Sequence, residues 1–290
     1  MLRSGRMSTS LPARSVRIAR RPGPVDLIVE GIRDIWSRRR LARYLVRADM
    51  QRHGADTLLG NVWWVVDPLL QMAVYVILVS VIFQIGGDDY PLFVFCAILP
   101  WKWFSTAIND GITSVTSRER IIKQVSFPKL VLPVAATVGG VVNFAFGMIP
   151  LTALIVLFYS DRLSSTILLI PLVAIVQFVF TLALSIAAAA INVFFRDVGN
   201  VARHALRMWF YLSPGLYAFD SVAGRIDGIL LDLYRLNPWV TLFEAYRNVI
   251  YDGRTPDFEA LGFVLVASAV LLVLAIYLFK RVEPSFAKVL

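Results

Sequence analysis

Stretches of about twenty apolar residues recur along this chain, and a helix of that length matches the roughly 30 Å of hydrocarbon in a bilayer. Six are legible: 62–85, 91–114, 131–158, 166–194, 200–219 and 260–279. The fourth is the most uniformly apolar. The fifth is the weakest, with Arg203, His204 and Arg207 in its first turns. Of the 290 residues 58% are hydrophobic and 17% charged, whereas soluble domains carry about a quarter charged residues. A soluble core cannot hide so much apolar surface, so lipid is the expected solvent. The expected fold is an all-α membrane protein with six spans.

The net charge of +9 is arranged for a membrane and not for nucleic acid. Thirteen of the 29 Lys and Arg lie in residues 1–52, before the first span, and the others gather at span ends. Basic residues beside a membrane mark its cytoplasmic side and attract anionic lipid headgroups. The connection 86–90, Gly-Gly-Asp-Asp-Tyr, has no base and reads as outside, as does 159–165 with Arg162 alone. Residues 115–129 carry Arg118, Arg120, Lys123 and Lys129, and residues 195–207 carry Arg196, Arg203 and Arg207; both read as inside. The tail, with Lys280, Arg281 and Lys288, reads as inside too. Six spans in an inner (plasma) membrane, with both ends in the cytoplasm, satisfy every connection. Arg20-Arg21 has no apolar segment and cleavage site near it, so no cleaved signal is expected. The single cysteine, Cys96, excludes an internal disulfide and reads as a small packing residue.

Two segments do not read as spans. In 25–47, Ile28, Ile32, Ile35 and Trp36 fall on one helical face, while Arg33, Asp34, Arg38, Arg39 and Arg40 fall largely elsewhere. That is the pattern of a basic amphipathic helix lying in the cytoplasmic interface. Residues 1–24 are expected to be a disordered cytoplasmic tail, followed by an interface segment over 25–58 and a transmembrane domain over 59–290. Residues 220–258 lie outside by topology yet are half apolar, and Asn237-Pro238 breaks their two apolar runs. They read as two short re-entrant helices, tolerated where protein or water covers the backbone.

No catalytic cluster stands out. His53 and His204 sit at membrane boundaries without neighbouring ligands, and neither His-Glu-x-x-His, Gly-x-Ser-x-Gly, Cys-x-x-Cys nor a phosphate loop occurs. No cofactor or metal is expected on this chain; if ATP drives it, another chain binds the ATP. Lys102, within Pro100-Trp101-Lys102-Trp103 near the middle of the second span, is the most telling charge. A lysine there costs about 2.5–3.5 kcal/mol on insertion scales. Either it faces a conduit, or it snorkels or pairs with Asp110 or a neighbouring helix. Among the aromatic side chains, Trp63, Trp64 and Trp209 suit an interfacial belt. Tyr75, Phe83, Phe95, Trp101 and Trp103 lie deeper, where such rings could stack on sugar rings in a pore or simply pack. The basic connections read as ordinary positive-inside charge or as docking elements for a cytoplasmic partner. A membrane glycolipid enzyme is the rival class, but the only adjacent acidic pair, Asp88-Asp89, sits on a tight outside loop.

Eight segments in order resemble the type-2 ABC transporter permeases, in their O-antigen, teichoic acid and capsule exporter branch. They are Leu45-Val46-Arg47-Ala48-Asp49-Met50, Leu59-Gly60-Asn61 running to Asp67-Pro68-Leu69, and Ile121-Ile122-Lys123 running to Phe127-Pro128-Lys129. Next come Asn192-Val193-Phe194-Phe195-Arg196-Asp197-Val198 and Tyr211-Leu212-Ser213-Pro214, then Leu236-Asn237-Pro238, Ala245-Tyr246-Arg247 and Glu283-Pro284-Ser285-Phe286-Ala287. The resemblance covers about residues 40–290. Where that family often has Tyr-Arg-x-Ser before the Leu-Gly, this chain has Arg52-His53-Gly54-Ala55-Asp56-Thr57. The resemblance implies a permease that is not itself an enzyme. Two copies would form a homodimeric pore, and two copies of a separate ABC ATPase holding ATP and Mg would dock beneath. The cargo would be a long glycan on a polyprenyl pyrophosphate lipid. ATPase-coupling contacts would be Arg118, Glu119, Arg120, Lys123, Phe127, Arg196 and Asp197. The deep residues Tyr75, Phe83, Trp101, Lys102 and Trp103 are then the pore-lining candidates, and the gate would lie at Leu236, Asn237 and Pro238. The alternative within the same fold is export of a drug or another lipid.

Overall fold

A computed structural model of the chain describes residues 23–54, 59–85 and 87–290. The tail expected to be disordered lies almost wholly outside them. The described chain opens with α1 (Pro24–Ser37) and α2 (Arg39–Gly54), then α3 (Trp63–Val76), which runs on as a wider π-type coil over Ile77–Ile82. α4 (Tyr90–Thr113) leads through a single turn into the short α5 (Glu119–Gln124), and α6 (Val131–Phe158) and α7 (Ile170–Phe194) follow. Next come α8 (Val198–Leu212), α9 (Phe219–Ala223), α10 (Ile229–Arg235), α11 (Pro238–Ile250), α12 (Phe258–Val282) and a terminal turn, α13 (Phe286–Val289). Among the described residues there is no strand, and five helical segments are long and apolar enough to cross a membrane: those built on α3, α4, α6, α7 and α12.

α4 is the central helix. Leu92, Val94, Phe95, Cys96, Ala97, Phe104, Ala107 and Ile112 on it are at most 1% exposed, and α3, α6, α7, α8 and α11 surround it. Lipid supplies no hydrophobic drive between helices, so close backbone approach and buried hydrogen bonds must hold them. Small residues permit the approach. A Cβ at Gly111 would stand 1.9 Å from Ser185 Oγ on α7, and one at Gly140 of α6 would stand 2.6 Å from Trp103 Cδ1. Polar side chains pin the depth: Gln177 Nε2 of α7 donates to Pro100 O at 2.8 Å, and Tyr246 Oη of α11 donates to Gln177 Oε1 at 2.8 Å.

The weak fifth stretch does not form a full-length helix. α8 has 15 residues, which reach only about 22 Å at 1.5 Å per residue. Its start lies at the Thr113 end of α4, where Gly199 approaches Ile112. The chain then continues without regular helix until Tyr90 Oη, at the opposite end of α4, donates to Leu216 O at 3.1 Å. Pro214 stops the helix, and Arg247 of α11 takes up carbonyls of the irregular stretch that follows. The guanidinium donates to Pro214 O at 2.6 Å, Gly215 O at 2.7 Å and Tyr217 O at 3.2 Å, and sits 3.7 Å from the centroid of Phe93.

After α9 and α10 the chain returns to the end of α8. Asn237 holds it there: its Oδ1 accepts from Trp209 Nε1 at 2.9 Å and from Trp239 N at 3.1 Å, and its Nδ2 donates to Ser213 Oγ at 2.8 Å. The same side chain therefore caps α11, with Pro238 at the first helical position. α11 climbs back until Tyr251 meets Phe93 near the Tyr90 end of α4.

The interface segment expected over 25–47 is two helices rather than one, broken between Ser37 and Arg39. The expected face is also divided. Ile28 and Ile35 turn toward the bundle, whereas Ile32 and Trp36 are exposed at 53% and 73%, on a stripe with Val25 and Val29. The cause is Gly31, which lets α1 lie against α12: a Cβ there would stand 2.5 Å from Ile276 Cγ2. Lys280 of α12 locks the contact, with Nζ at 2.8 Å from Glu30, 2.8 Å from Asp34 and 2.9 Å from Glu283.

Two substitutions test this packing. Gly111→Ala should lower the midpoint of thermal unfolding in detergent, at an overpacking cost of about 1–3 kcal/mol, and adding Ser185→Ala should restore part of it. Asn237→Ala removes a cap and two further hydrogen bonds and should cost about 2 kcal/mol. Asn237→Asp keeps the acceptors and should cost less in the same unfolding measurement.

Candidate functional site

One face of the bundle is left open. Along α3 and its π-type extension Leu70, Val74, Ile77, Val81 and Ile82 are all more than half exposed, and on α8 so are Met208 and Leu212. Between these two helices, with α4 as its floor, runs a polar furrow. Its middle is a cavity of about 380 Å³ lined by Gln71, Tyr75, Lys102, Ser105, Asn109, Arg207 and their neighbours. At the α5 end, Asn109 and Arg203 are shared with a cleft of about 620 Å³. At the Tyr90 end lies a pocket of about 550 Å³ with Asp88, Asp89, Tyr90, Tyr217 and Tyr251 in its walls. Behind the middle, Lys102 and Thr106 also line a cavity of about 350 Å³ between α2, α4 and α6.

The expected pore residues divide. Lys102 is in the furrow and is neutralised by the neighbouring helix: its Nζ lies 3.1 Å from Asp67 of α3. Tyr75 is also in the furrow, with its hydroxyl 3.5 Å from that of Tyr211 across it. Trp101 is 6% exposed and forms the floor, packed edge-on to Trp239 at 4.8 Å and tilted against Phe104 and Phe210 at 5.3 Å. Trp103 is 2% exposed and turned the other way, against Phe144 of α6. Successive residues on a helix point about 100° apart, so Trp101, Lys102 and Trp103 cannot share one wall. Phe83 is exposed at the far end of the π-type coil, and Phe95 is entirely buried in the core. Trp209, expected in an interfacial belt, belongs to the same aromatic core, edge-on to Phe104 and Phe180. Leu236 is exposed, while Asn237 and Pro238 are half-buried in the turn that meets α8.

At the opposite end from Tyr90 the two basic connections meet. Glu119 takes Lys123 at 2.7 Å and Arg196 at 4.0 Å, so α5 and the turn before α8 form one surface. Hydrogen bonding from Lys123 holds the Glu119 carboxyl below the usual carboxylate range despite the opposing effect of desolvation. Arg120 and Asp197 are exposed on this surface. Between the charges stand Ile121, Val125 and Phe195, exposed at 51%, 54% and 68%. Arg118 faces inward: its guanidinium grips both carboxylate oxygens of Asp49 at 2.8 and 2.9 Å and ties α5 to α2. Phe127 is half-buried against the core beneath. Behind it, Lys129 N donates to Glu283 Oε1 at 2.6 Å, joining this surface to the Lys280 cluster.

The acidic pair at 88–89 is structural. Asp89 pairs with Arg162, whose guanidinium lies 4.7 Å over the Tyr251 ring, and Asp88 O accepts from Tyr159 Oη at 3.1 Å. No group of His, Cys, Asp and Glu able to hold a metal occurs among the described residues. Sequence reasoning did not single out Arg247 as a structural element beyond its place in the Ala245-Tyr246-Arg247 segment. A lone arginine on an apolar helix was the available signal.

The arrangement is a membrane bundle with a polar track on one exposed face and a charged, apolar-centred surface at one end. The O-antigen export system permease protein RfbA of Myxococcus xanthus is 33% identical over 257 residues, covering 89% of this chain and 98% of the relative. A protein of the same name from Klebsiella pneumoniae is 26% identical, covering 85% of this chain and 93% of the relative. The sequence model of the ABC-2 type transporter family matches residues 40–251, from the first turn of α2 to the end of α11, and the chain is therefore a multi-pass membrane protein belonging to the ABC-2 type transporter family.

Proposed function

We propose that this chain is the pore-forming permease subunit of an ATP-driven exporter that moves a polysaccharide, carried on a polyprenyl pyrophosphate lipid, across the inner membrane. The observation that carries this reading is the row of polar pockets beside α4, a joined pair at the α5 end and middle and a third at the Tyr90 end. A second copy meeting the exposed faces of α3 and α8 would close it into a conduit. A sugar polymer needs hydrogen-bonding groups and ring faces rather than one strong fixed charge. Tyr75 and Tyr211 with Gln71, Ser105 and the paired Lys102 supply such groups, and Arg203 and Arg207 add positive charge toward the α5 end. The relatives named as O-antigen export permeases support the same class of cargo.

In this reading both chain ends and α5 are cytoplasmic, in keeping with the positive-inside rule. α8 together with 213–217 makes the sixth crossing, and α10 and α11 are re-entrant, with the turn Leu236-Asn237-Pro238 as the gate. The stripe Val25, Val29, Ile32 and Trp36 lies in the interface, as a monotopic helix does. ATP with Mg is bound by two copies of a separate ABC ATPase. Each docks on the surface of Ile121, Val125 and Phe195, ringed by Arg120, Lys123 and Arg196. ATP-driven closure of those chains moves α5 and the start of α8, separates the two permease copies along the furrow, and lets glycan advance outward.

Replacing Glu119 and Arg120 together by Ala should cut export about tenfold, within the range of ordinary coupling free energies, while ATP hydrolysis by the complex persists. Export at the full rate would remove these residues from the coupling path. Depleting the permease should trap lipid-linked polymer on the cytoplasmic side, assayed by labelling intact and permeabilised cells. A cell that exports its polymer normally without this chain would refute the reading.

A further inference from the structure

The acids and bases of α1 and α2 are sorted to opposite sides. Glu30 and Asp34 turn inward to Lys280 of α12, and Asp49 turns inward to Arg118. Asp26 is occupied at the start of α1, where it accepts from Gly23 N at 3.0 Å. The bases are left outside. Arg40, Arg43 and Arg47 are all exposed and fall at i, i+3 and i+7, on one face of α2. None of the three has a carboxylate partner among the described residues. Like charges one turn apart on a helix repel each other, so a row of this kind is stabilised by an anionic partner.

The surroundings of the row identify that partner. Tyr44, 70% exposed, stands among the three arginines. The neighbouring Arg39 guanidinium lies 5.7 Å over the ring of Trp36, which ends the exposed apolar stripe Val25, Val29 and Ile32. An apolar stripe, then amphipathic rings, then guanidinium groups is the order of chemistry met on leaving hydrocarbon for lipid headgroups. Arg40, Arg43 and Arg47 line none of the cavities beside α4; α2 turns Val46, Asp49 and Met50 to the one behind Lys102 instead. The arginine face is therefore turned to the surrounding bilayer and not to cargo in the furrow.

We infer that the elbow of α1 and α2 is a binding surface for anionic phospholipid, with headgroup phosphates on Arg40, Arg43 and Arg47 and with Trp36 and Tyr44 at the boundary of the hydrocarbon. The inference rests on the interfacial placement of α1 given above. It has a mechanical consequence. Lys280 ties α1 to α12, and Arg118 ties α2 to α5, so lipid held at the elbow steadies the scaffold that carries the docking surface.

The test uses the full-length permease in lipid nanodiscs, with a bimane fluorophore on Tyr44→Cys; the native Cys96 is buried and stays unlabelled. The quencher is phosphatidylglycerol or phosphatidylcholine, each spin-labelled near the headgroup end of one acyl chain, in a phosphatidylcholine bilayer. Phosphatidylglycerol should reach half-maximal quenching at a mole fraction about fivefold lower than phosphatidylcholine. Arg40→Gln with Arg43→Gln and Arg47→Gln should abolish the preference, while the variant unfolds at the wild-type temperature in phosphatidylcholine alone. The same fluorophore on Phe263→Cys, on the exposed face of α12, should show no preference. Equal quenching by the two lipids at position 44, or a preference that survives the triple substitution, overturns the lipid surface and leaves the exporter reading standing. Quenching at position 44 by neither lipid overturns the interfacial placement as well.

Discussion

Arg247 is a guanidinium 4% exposed, packed at the Tyr90 end of an apolar bundle, and no carboxylate pairs with it among the described hydrogen bonds and ion pairs. Its donors meet the carbonyls of Pro214, Gly215 and Tyr217, and its plane lies on the ring of Phe93. Buried backbone carbonyls need hydrogen-bond partners, and Arg247 supplies them to the irregular stretch that follows α8. The route of the chain beyond α8 depends on it, and so does the depth at which Asn237 can turn the chain into α11. The Tyr90 end of the furrow, with Tyr217 in its wall, depends on the same three hydrogen bonds.

A second set of charges organises the opposite end. One ammonium, Lys280, stands among three carboxylates from α1 and the α12 terminus, and one of these, Glu283, also accepts from the backbone of Lys129. Arg118 and Asp49 make a parallel tie from α5 to α2. The exposed surface of α5 is therefore anchored to α1, α2 and the end of α12, not carried on a free loop. Force applied to α5 would reach α1 and α2 without passing through the aromatic core. Buried ion pairs of this sort contribute little net stability; their consequence here is a fixed relative position of four elements.

Long apolar runs made most of the fold legible. The expected spans 91–114 and 131–158 agree with α4 and α6 to within a residue, because hydrocarbon thickness sets both the length and the composition of a crossing helix. The fifth run misled because hydropathy averages over α8 and the irregular segment after it alike, and it cannot register that Pro214 ends the helix. The interface face misled for another reason. Ile28, Ile32, Ile35 and Trp36 form a plausible single stripe, but Gly31 admits α12 so closely that half of the stripe is covered and half is not. The run Trp101-Lys102-Trp103 shows the same limit at the site: adjacency in sequence was read as a shared wall, and helix geometry sends Trp103 to α6.

What the sequence determined by itself is the solvent and the helical class. These follow from local composition, since every residue in a span must suit lipid whatever its neighbours are. It also determined that the basic connections at 115–129 and 195–207 lie at one end, which brings Glu119 and Arg196 within reach. Only the tertiary structure decided which polar residues meet. The pairing of Lys102 with Asp67 rather than Asp110, the carbonyl cage of Arg247 and the furrow itself all depend on how α3, α4, α7 and α8 rotate about their axes. That rotation is set by close contacts at Gly111 and Gly140 with partners far away in the chain, and no local pattern encodes it.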